Sequence, residues 1–254
     1  MVAIERSGGV TVVRMGHGKA NALDIELCQA LVAAFDAHRA DDSGALVLVG
    51  QGSIFSAGVD LPRVLDGRRP YVERFIPALI RMFEAALFHP KPVVAAINGH
   101  AIAGGCVLAC AADQRLMADG AGRIGVPELL VGVPFPFVAL EIMRAAAQPH
   151  ALRELLWGGG TVVAEIALRQ GLVDAVVEPE ALVARAVDRA RSLAALPPQA
   201  FALAKRQLLL PIAERLRAHA AQADATMTDL WAADEALARV GAYAARVLKT
   251  GQRG

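Results

Sequence analysis

The sequence predicts an α/β core followed by a helical C-terminal region. Two observations carry this. Through the first half, short apolar and β-branched runs alternate with segments of helical spacing, and from Pro179 onward the chain reads as helix almost throughout. With 254 residues, 55% hydrophobic and 20% charged, the chain is too apolar for a disordered segment and long enough for one large domain, or one domain and a small appendage.

The elements follow in order. Val10-Thr11-Val12-Val13-Arg14 reads as a strand ended by the Gly16-His17-Gly18 turn. Asp24 caps a helix to about His38, with Leu27, Leu31 and Ala34 on one face. Ala45-Leu46-Val47-Leu48-Val49 is a buried strand closed by Gly50-Gln51-Gly52. Asp66-Gly67-Arg68-Arg69-Pro70 reads as a polar, solvated loop, and Tyr71 to Phe88 as a helix stopped by Pro90 and Pro92. Val93-Val94-Ala95-Ala96-Ile97 is a second apolar strand, followed by a turn, and Gly104 opens an apolar helix to about Ala112. Short strands are expected around 114–117, 122–125 and 173–177. Helices then cover Ala181 to Leu196, Phe201 to Leu210 and Ile212 to about Leu237, with a last piece to Leu248. A helical tail of this kind folds back on the core or packs on a neighbouring subunit.

Composition excludes several classes. With 26 Lys+Arg against 25 Asp+Glu, the net charge of +1 gives no basic excess for nucleic acid, and 5% aromatics leave few stacking platforms. Cys28, Cys106 and Cys110 form no CxxC spacing and no zinc pattern, so we expect core thiols, no metal and a reduced, cytoplasmic setting. Met1 to Arg6 lacks the basic-then-apolar pattern of a secretory leader. Val93 to Ala112 carries no formal charge, but Asn98-Gly99-His100 and Gly104-Gly105 divide it, so strand, turn and helix are expected in place of a membrane span.

Two glycine-containing turns follow the most apolar strands: Ile54-Phe55-Ser56-Ala57-Gly58-Val59-Asp60-Leu61 and Asn98-Gly99-His100-Ala101-Ile102-Ala103-Gly104-Gly105-Cys106. Small residues admit a ligand close to the backbone, and a turn that opens a helix leaves N–H groups for an oxyanion. Neither turn fits a dinucleotide or P-loop fingerprint. On pattern alone both also suit ordinary strand-to-helix connections.

These runs resemble the signatures of the crotonase superfamily, the enoyl-CoA hydratases and isomerases. Phe55 to Leu61 is similar to the first and Ile97 to Cys106, with Asp113 downstream, to the second. Gly125-Val126-Pro127-Glu128, with Leu129 to Gly132 after it, resembles the third. Lys19-Ala20-Asn21-Ala22-Leu23 resembles the early CoA-contacting loop, and Ala164 to Asp174 a later helix-turn-strand segment. The resemblance implies a ClpP/crotonase-like spiral of ββα units over residues 1–195. It also implies a helical region over 196–254 that builds a homo-trimer or a dimer of trimers. The substrate it implies is an acyl-CoA, with coenzyme A arriving as part of the substrate and no permanently bound cofactor. It places an oxyanion hole at the Val59 and Gly104 amides. Substrate and CoA contacts fall at Lys19, Ala20, Ala22, Ala57, Asp60, Leu61, Ala103 and Pro127.

Among family members the carboxylates discriminate. Hydratases resemble one another in holding a water between two glutamates. At the first of those positions this chain has Val107, and at the second Glu128. One base without a partner suits a 1,3 proton shift, so the resemblance implies a Δ3-Δ2-enoyl-CoA isomerase with Glu128 as its base. The Val133-Pro134-Phe135-Pro136-Phe137 segment points the same way. The alternatives are a hydratase, another crotonase chemistry such as thioester hydrolysis or decarboxylation, or a non-catalytic acyl-CoA-binding protein. Glu128 after Pro127 also fits a first-turn helix acid. His100 is expected to cap backbone, Asp60 to hold its turn, and Glu141 to lie on the surface. Lys205, Arg206 and Lys249 are basic residues of the helical tail, one of which is expected to reach a CoA phosphate across a subunit boundary, and the sequence does not say which.

Overall fold

The computed structural model describes the backbone of residues 2–251 and the side chains of residues 2–246. The chain runs β1 (Val2–Ser7), β2 (Val10–Met15), α1 (Ile25–Ala40), β3 (Ala45–Gly50), β4 (Ile54–Ser56), α2 (Leu61–Leu87), β5 (Val93–Ile97), β6 (His100–Ile102), α3 (Gly104–Cys110), β7 (Gln114–Ala118), β8 (Ile124–Gly125) and α4 (Glu128–Val131). It continues through α5 (Phe137–Ala146), α6 (Pro149–Gly158), β9 (Thr161–Val162), α7 (Ala164–Gln170), β10 (Ala175–Val177), α8 (Leu182–Ala194), α9 (Pro198–Leu208), α10 (Leu210–Ala232) and α11 (Asp234–Gly251).

A repeat is visible in that order. A long strand, a short strand and a helix recur three times, as β3-β4-α2, β5-β6-α3 and β7-β8-α4. The long strands are neighbours in a six-stranded sheet of order β1-β2-β3-β5-β7-β10, parallel except for β1. The short ones are neighbours in a second sheet of order β4-β6-β8-β9. This is the ββα spiral of the crotonase fold.

Helices cover both faces of the large sheet, so its strands read as continuous apolar runs. Successive side chains point to opposite faces. Val47, Val49, Val94 and Ala96 pack against Leu182, Ala186 and Ala190 of α8. Leu46, Leu48, Ala95 and Ile97 face the main core with α1, α2 and α3. Asp24 caps α1 by accepting from the Leu27 amide at 2.7 Å.

The C-terminal helices fold back on their own core. Trp231 Nε1 donates to the Pro134 carbonyl at 2.8 Å, Asp224 accepts from the Phe137 amide at 2.8 Å, and Lys205 pairs with Asp113 at 2.8 Å. The segment expected as a loop at 66–70 is part of α2. Only Arg68 breaks the helix, at φ 47 and ψ −145. The break aims Arg68 at Asp234 (2.5 Å) and Arg69 at Asp229 (3.0 Å), so these charges are spent on α10 and α11.

Glu141 is also not at the surface. It is 1% exposed and bonded to Arg215 of α10 at 2.6 Å. All three cysteines are buried and free, as expected of core thiols.

Candidate active site

The second sheet organises the site. β4, β6 and β8 are mutually parallel neighbours, so their C-terminal ends lie side by side. Val59 follows the end of β4, Gly104 the end of β6 and Glu128 the end of β8, each by two or three residues. Three segments distant in sequence thus converge on one edge, where groups that follow parallel strands meet a ligand.

The first turn is saturated with hydrogen bonds except at one point. Ala57 N–H donates to the Ala20 carbonyl (2.9 Å) and Asp60 N–H to Leu23 (3.0 Å), while the Gly58 carbonyl accepts from Leu23 N–H (2.7 Å). Gly58 N–H donates to Ser56 Oγ (3.2 Å). Among the described residues, the Val59 amide has no such acceptor. Asp60 caps α2 by accepting from Arg63 N–H (3.1 Å), and Leu61 begins that helix.

In the second turn, Ala103 N–H donates to the Gly125 carbonyl at 2.8 Å. Ala103 itself sits at φ 52 and ψ −127, a conformation that an L residue holds only under constraint. It sets the direction of the next amide, Gly104 N–H, which opens α3 and so has no partner within the helix. Gly58, at φ +83, packs on this turn. A β-carbon there would meet the Ile102 carbonyl at 2.6 Å and lie 3.4 Å from Gly104 N. The two free amides therefore sit in abutting turns.

Glu128 is the first residue of the single-turn α4, behind Pro127, and its carbonyl accepts from the Gly132 and Val133 amides (3.0 and 3.1 Å). The side chain is buried, and Oε2 has no hydrogen-bond partner among the described residues. Burial raises its carboxyl from 4.5 to about 8, only partly offset by its own backbone amide. Neither a cation nor a second carboxylate enters that balance. Val107 is packed in the core at 1% exposure. Glu128 is thus a buried carboxyl whose ionisation burial opposes, placed after β8 at the same sheet edge from which the Val59 and Gly104 amides follow β4 and β6.

Of the other expected contacts, Lys19 and Ala57 are exposed, and Ala20 and Ala22 are half-buried in the loop that clasps the first turn. His100 lies in β6 opposite Ile54, at the far end of that strand from Gly104. Lys205 is committed to Asp113 and buried, so it does not reach out to a ligand. The Lys249 side chain lies outside the described residues. A cavity of about 630 Å³ lies between Phe88–Pro90 and α9–α10, at the N-terminal end of β5 and away from these turns. Among the described residues no cluster of metal-ligating side chains occurs, and no helix is long and apolar enough to cross a membrane. Asn21 and Ser56, which knit the first turn together, have no role marked by the sequence motifs. The available signal was a hydroxyl two residues ahead of a turn glycine.

A sequence profile described as Enoyl-CoA hydratase/isomerase matches residues 5–245. The chain belongs to the enoyl-CoA hydratase/isomerase family. A Mycobacterium avium protein named as an enoyl-CoA hydratase is 34% identical over 218 residues, 84% of each chain. Among solved structures, a Mycobacterium tuberculosis protein titled a probable enoyl-CoA hydratase is 36% identical, with a TM-score of 0.81 over 89% of this chain and 95% of that one. Human mitochondrial Δ3-Δ2-enoyl-CoA isomerase is 26% identical, with a TM-score of 0.92 over 98% of both chains. As a member of this family, the chain is an enzyme for which an acyl-CoA substrate is consistent.

Proposed function

We propose that this enoyl-CoA hydratase/isomerase family member moves a double bond of an enoyl-CoA from the 3- to the 2-position, with Glu128 as its only acid–base group. The observation that carries this reading is the isolation of Glu128: its carboxyl is buried, its Oε2 has no hydrogen-bond partner among the described residues, and no other carboxylate perturbs it.

The thioester carbonyl sits against Val59 and Gly104. Glu128 takes a proton from the α-carbon of the 3-enoyl thioester. The electron pair of that C–H bond delocalises onto the carbonyl oxygen, and the resulting dienolate accepts both amide hydrogen bonds. Each such donor is typically worth about 2.7–4 kcal/mol to the transition state. The protonated Glu128 then delivers the proton to the γ-carbon, which leaves a conjugated 2-enoyl thioester and restores the carboxylate. One carboxyl serves both steps, and one whose pKa lies near working pH does so most effectively. Ala57, Asp60, Leu61, Ala103 and Pro127 frame the thioester, and the loop of Lys19, Ala20 and Ala22 meets the CoA.

Hydration of a 2-enoyl-CoA is the second reading, favoured by the probable-hydratase name of the Mycobacterium avium relative, although the Mycobacterium tuberculosis neighbour is titled a probable hydratase in one structure and an isomerase in another. It needs a second group to hold water. Val107 offers none, and Glu141 is bonded to Arg215 (2.6 Å) and lies 3.5 Å from Arg144. Assembly into trimers through 196–254 and a cytoplasmic location belong to the same proposal. Purified protein given a 3-enoyl-CoA and, separately, a 2-enoyl-CoA tests it: conjugation of the first without hydration of the second is expected.

A further inference from the structure

We infer that Asn21 and Ser56 are positioning residues that aim the Val59 amide at the thioester oxygen, an inference that rests on the oxyanion-hole reading above. Ser56 is fully buried, and its hydroxyl works in two directions. It donates to the Asn21 carbonyl at 2.8 Å and accepts from Gly58 N–H at 3.2 Å. Asn21 is 2% exposed and spends its whole side chain on the same region. Its Nδ2 donates to the Ile54 and Phe55 carbonyls at 3.1 and 3.2 Å, and its Oδ1 accepts from His17 N–H at 2.8 Å. It does so from φ 47, a left-handed conformation that asparagine tolerates better than most residues.

The consequence is geometric. The loop 17–23 is pinned to β4 by the Asn21 side chain, and that loop grips the turn at Ala57, Gly58 and Asp60. Ser56 satisfies the remaining inner amide, that of Gly58. Every amide from Ala57 to Asp60 except Val59 is thereby held inside the protein, and the turn cannot rotate to bury that last donor. Both side chains are covered by backbone, so they act through Val59 and do not touch substrate. A displacement of about 1 Å at such a donor costs about 100-fold in rate.

The test uses Ser56→Ala and Asn21→Gly, the latter keeping a residue at ease with positive φ. The control is Asn98→Ala. Asn98 makes the same kind of strap, accepting from Gly50 N–H (2.9 Å) and donating to the Gly52 carbonyl (2.7 Å), but at the opposite end of β4. The probe is octanoyl-CoA carrying ¹³C at its thioester carbonyl. It is saturated, so it is neither isomerised nor hydrated, and its carbonyl stretch is read by isotope-edited infrared spectroscopy. In the unsubstituted protein, binding lowers the stretch. Ser56→Ala and Asn21→Gly are expected to bind the probe with little-changed Kd, to lose part of that shift, and to lower kcat about 10- to 100-fold with KM nearly constant. Asn98→Ala lowers the melting temperature but keeps the shift. An undiminished shift and kcat in Ser56→Ala, or a kcat loss that only tracks melting temperature as it does in Asn98→Ala, overturns the positioning role. No shift in the unsubstituted protein overturns the oxyanion hole itself, a separable failure.

Discussion

Gly58 lies against the backbone that presents Gly104: a β-carbon on Gly58 would stand 2.6 Å from the Ile102 carbonyl and 3.4 Å from the Gly104 nitrogen. The two amides of the proposed oxyanion hole are close because nothing larger than hydrogen separates their turns. Gly58→Ala is expected to cost about 1–3 kcal/mol through its left-handed φ of +83 and this contact. It should lower kcat by about 100-fold or more as the turns part. Gly104→Ala is expected to be milder, because its β-carbon would meet the movable end of Leu23 at 2.8 Å, not backbone. Chemical denaturation and turnover of the two variants side by side check the contrast.

Replacing the base separates chemistry from binding. Glu128→Gln keeps the volume and removes the proton acceptor, so turnover should fall by about 10²–10⁴-fold. CoA-thioester affinity should stay close to that of the parent. Titration calorimetry and a turnover assay on the same preparation measure both.

The raised pKa of Glu128 sets two pH dependences. As a base it must be ionised, so kcat/KM should climb toward a plateau with an apparent pKa near 8. Stability runs the other way. Between 4.5 and about 8 the folded protein keeps a proton that the unfolded chain has released, so stability falls as pH rises through that window and is level above it. Glu128→Gln lacks this loss. Its melting temperature relative to the parent should therefore increase from pH 5 to pH 9, which a calorimetric pH series reads directly.

Lys205 is a buttress between α9 and the start of β5. Its ammonium bonds Asp113, which also accepts from Val93 N–H at 2.9 Å. Lys205→Met should cost about 1–3 kcal/mol, below the usual penalty for breaking a buried pair because Asp113 keeps that amide. It should leave CoA affinity unchanged. A fall in affinity without a fall in stability would restore the phosphate-binding role that the sequence suggested.

Much of the frame was legible because its signals are local. The apolar runs at 45–49 and 93–97 are buried on both faces, and Asp24 caps α1 by its own side chain. β1 escaped notice because all but its first residue are exposed, which erases any alternation. β4, β6 and β9 are two or three residues long and exist only through their partners. Glu141 reads as a surface charge and Lys205 as a cation for a CoA phosphate because their partners, Arg215 and Asp113, are remote in sequence. Val59, Gly104 and Glu128 were found by motif. Their convergence depends on the parallel alignment of β4, β6 and β8, which strands this short do not announce.

The most direct test of the central claim is a paired assay of the protein and its Glu128→Gln variant, one arm following conjugation of a 3-enoyl-CoA and the other hydration of a 2-enoyl-CoA. The account predicts conjugation alone, lowered about 10²–10⁴-fold in the variant. Strong hydration, or conjugation undiminished in Glu128→Gln, would contradict it.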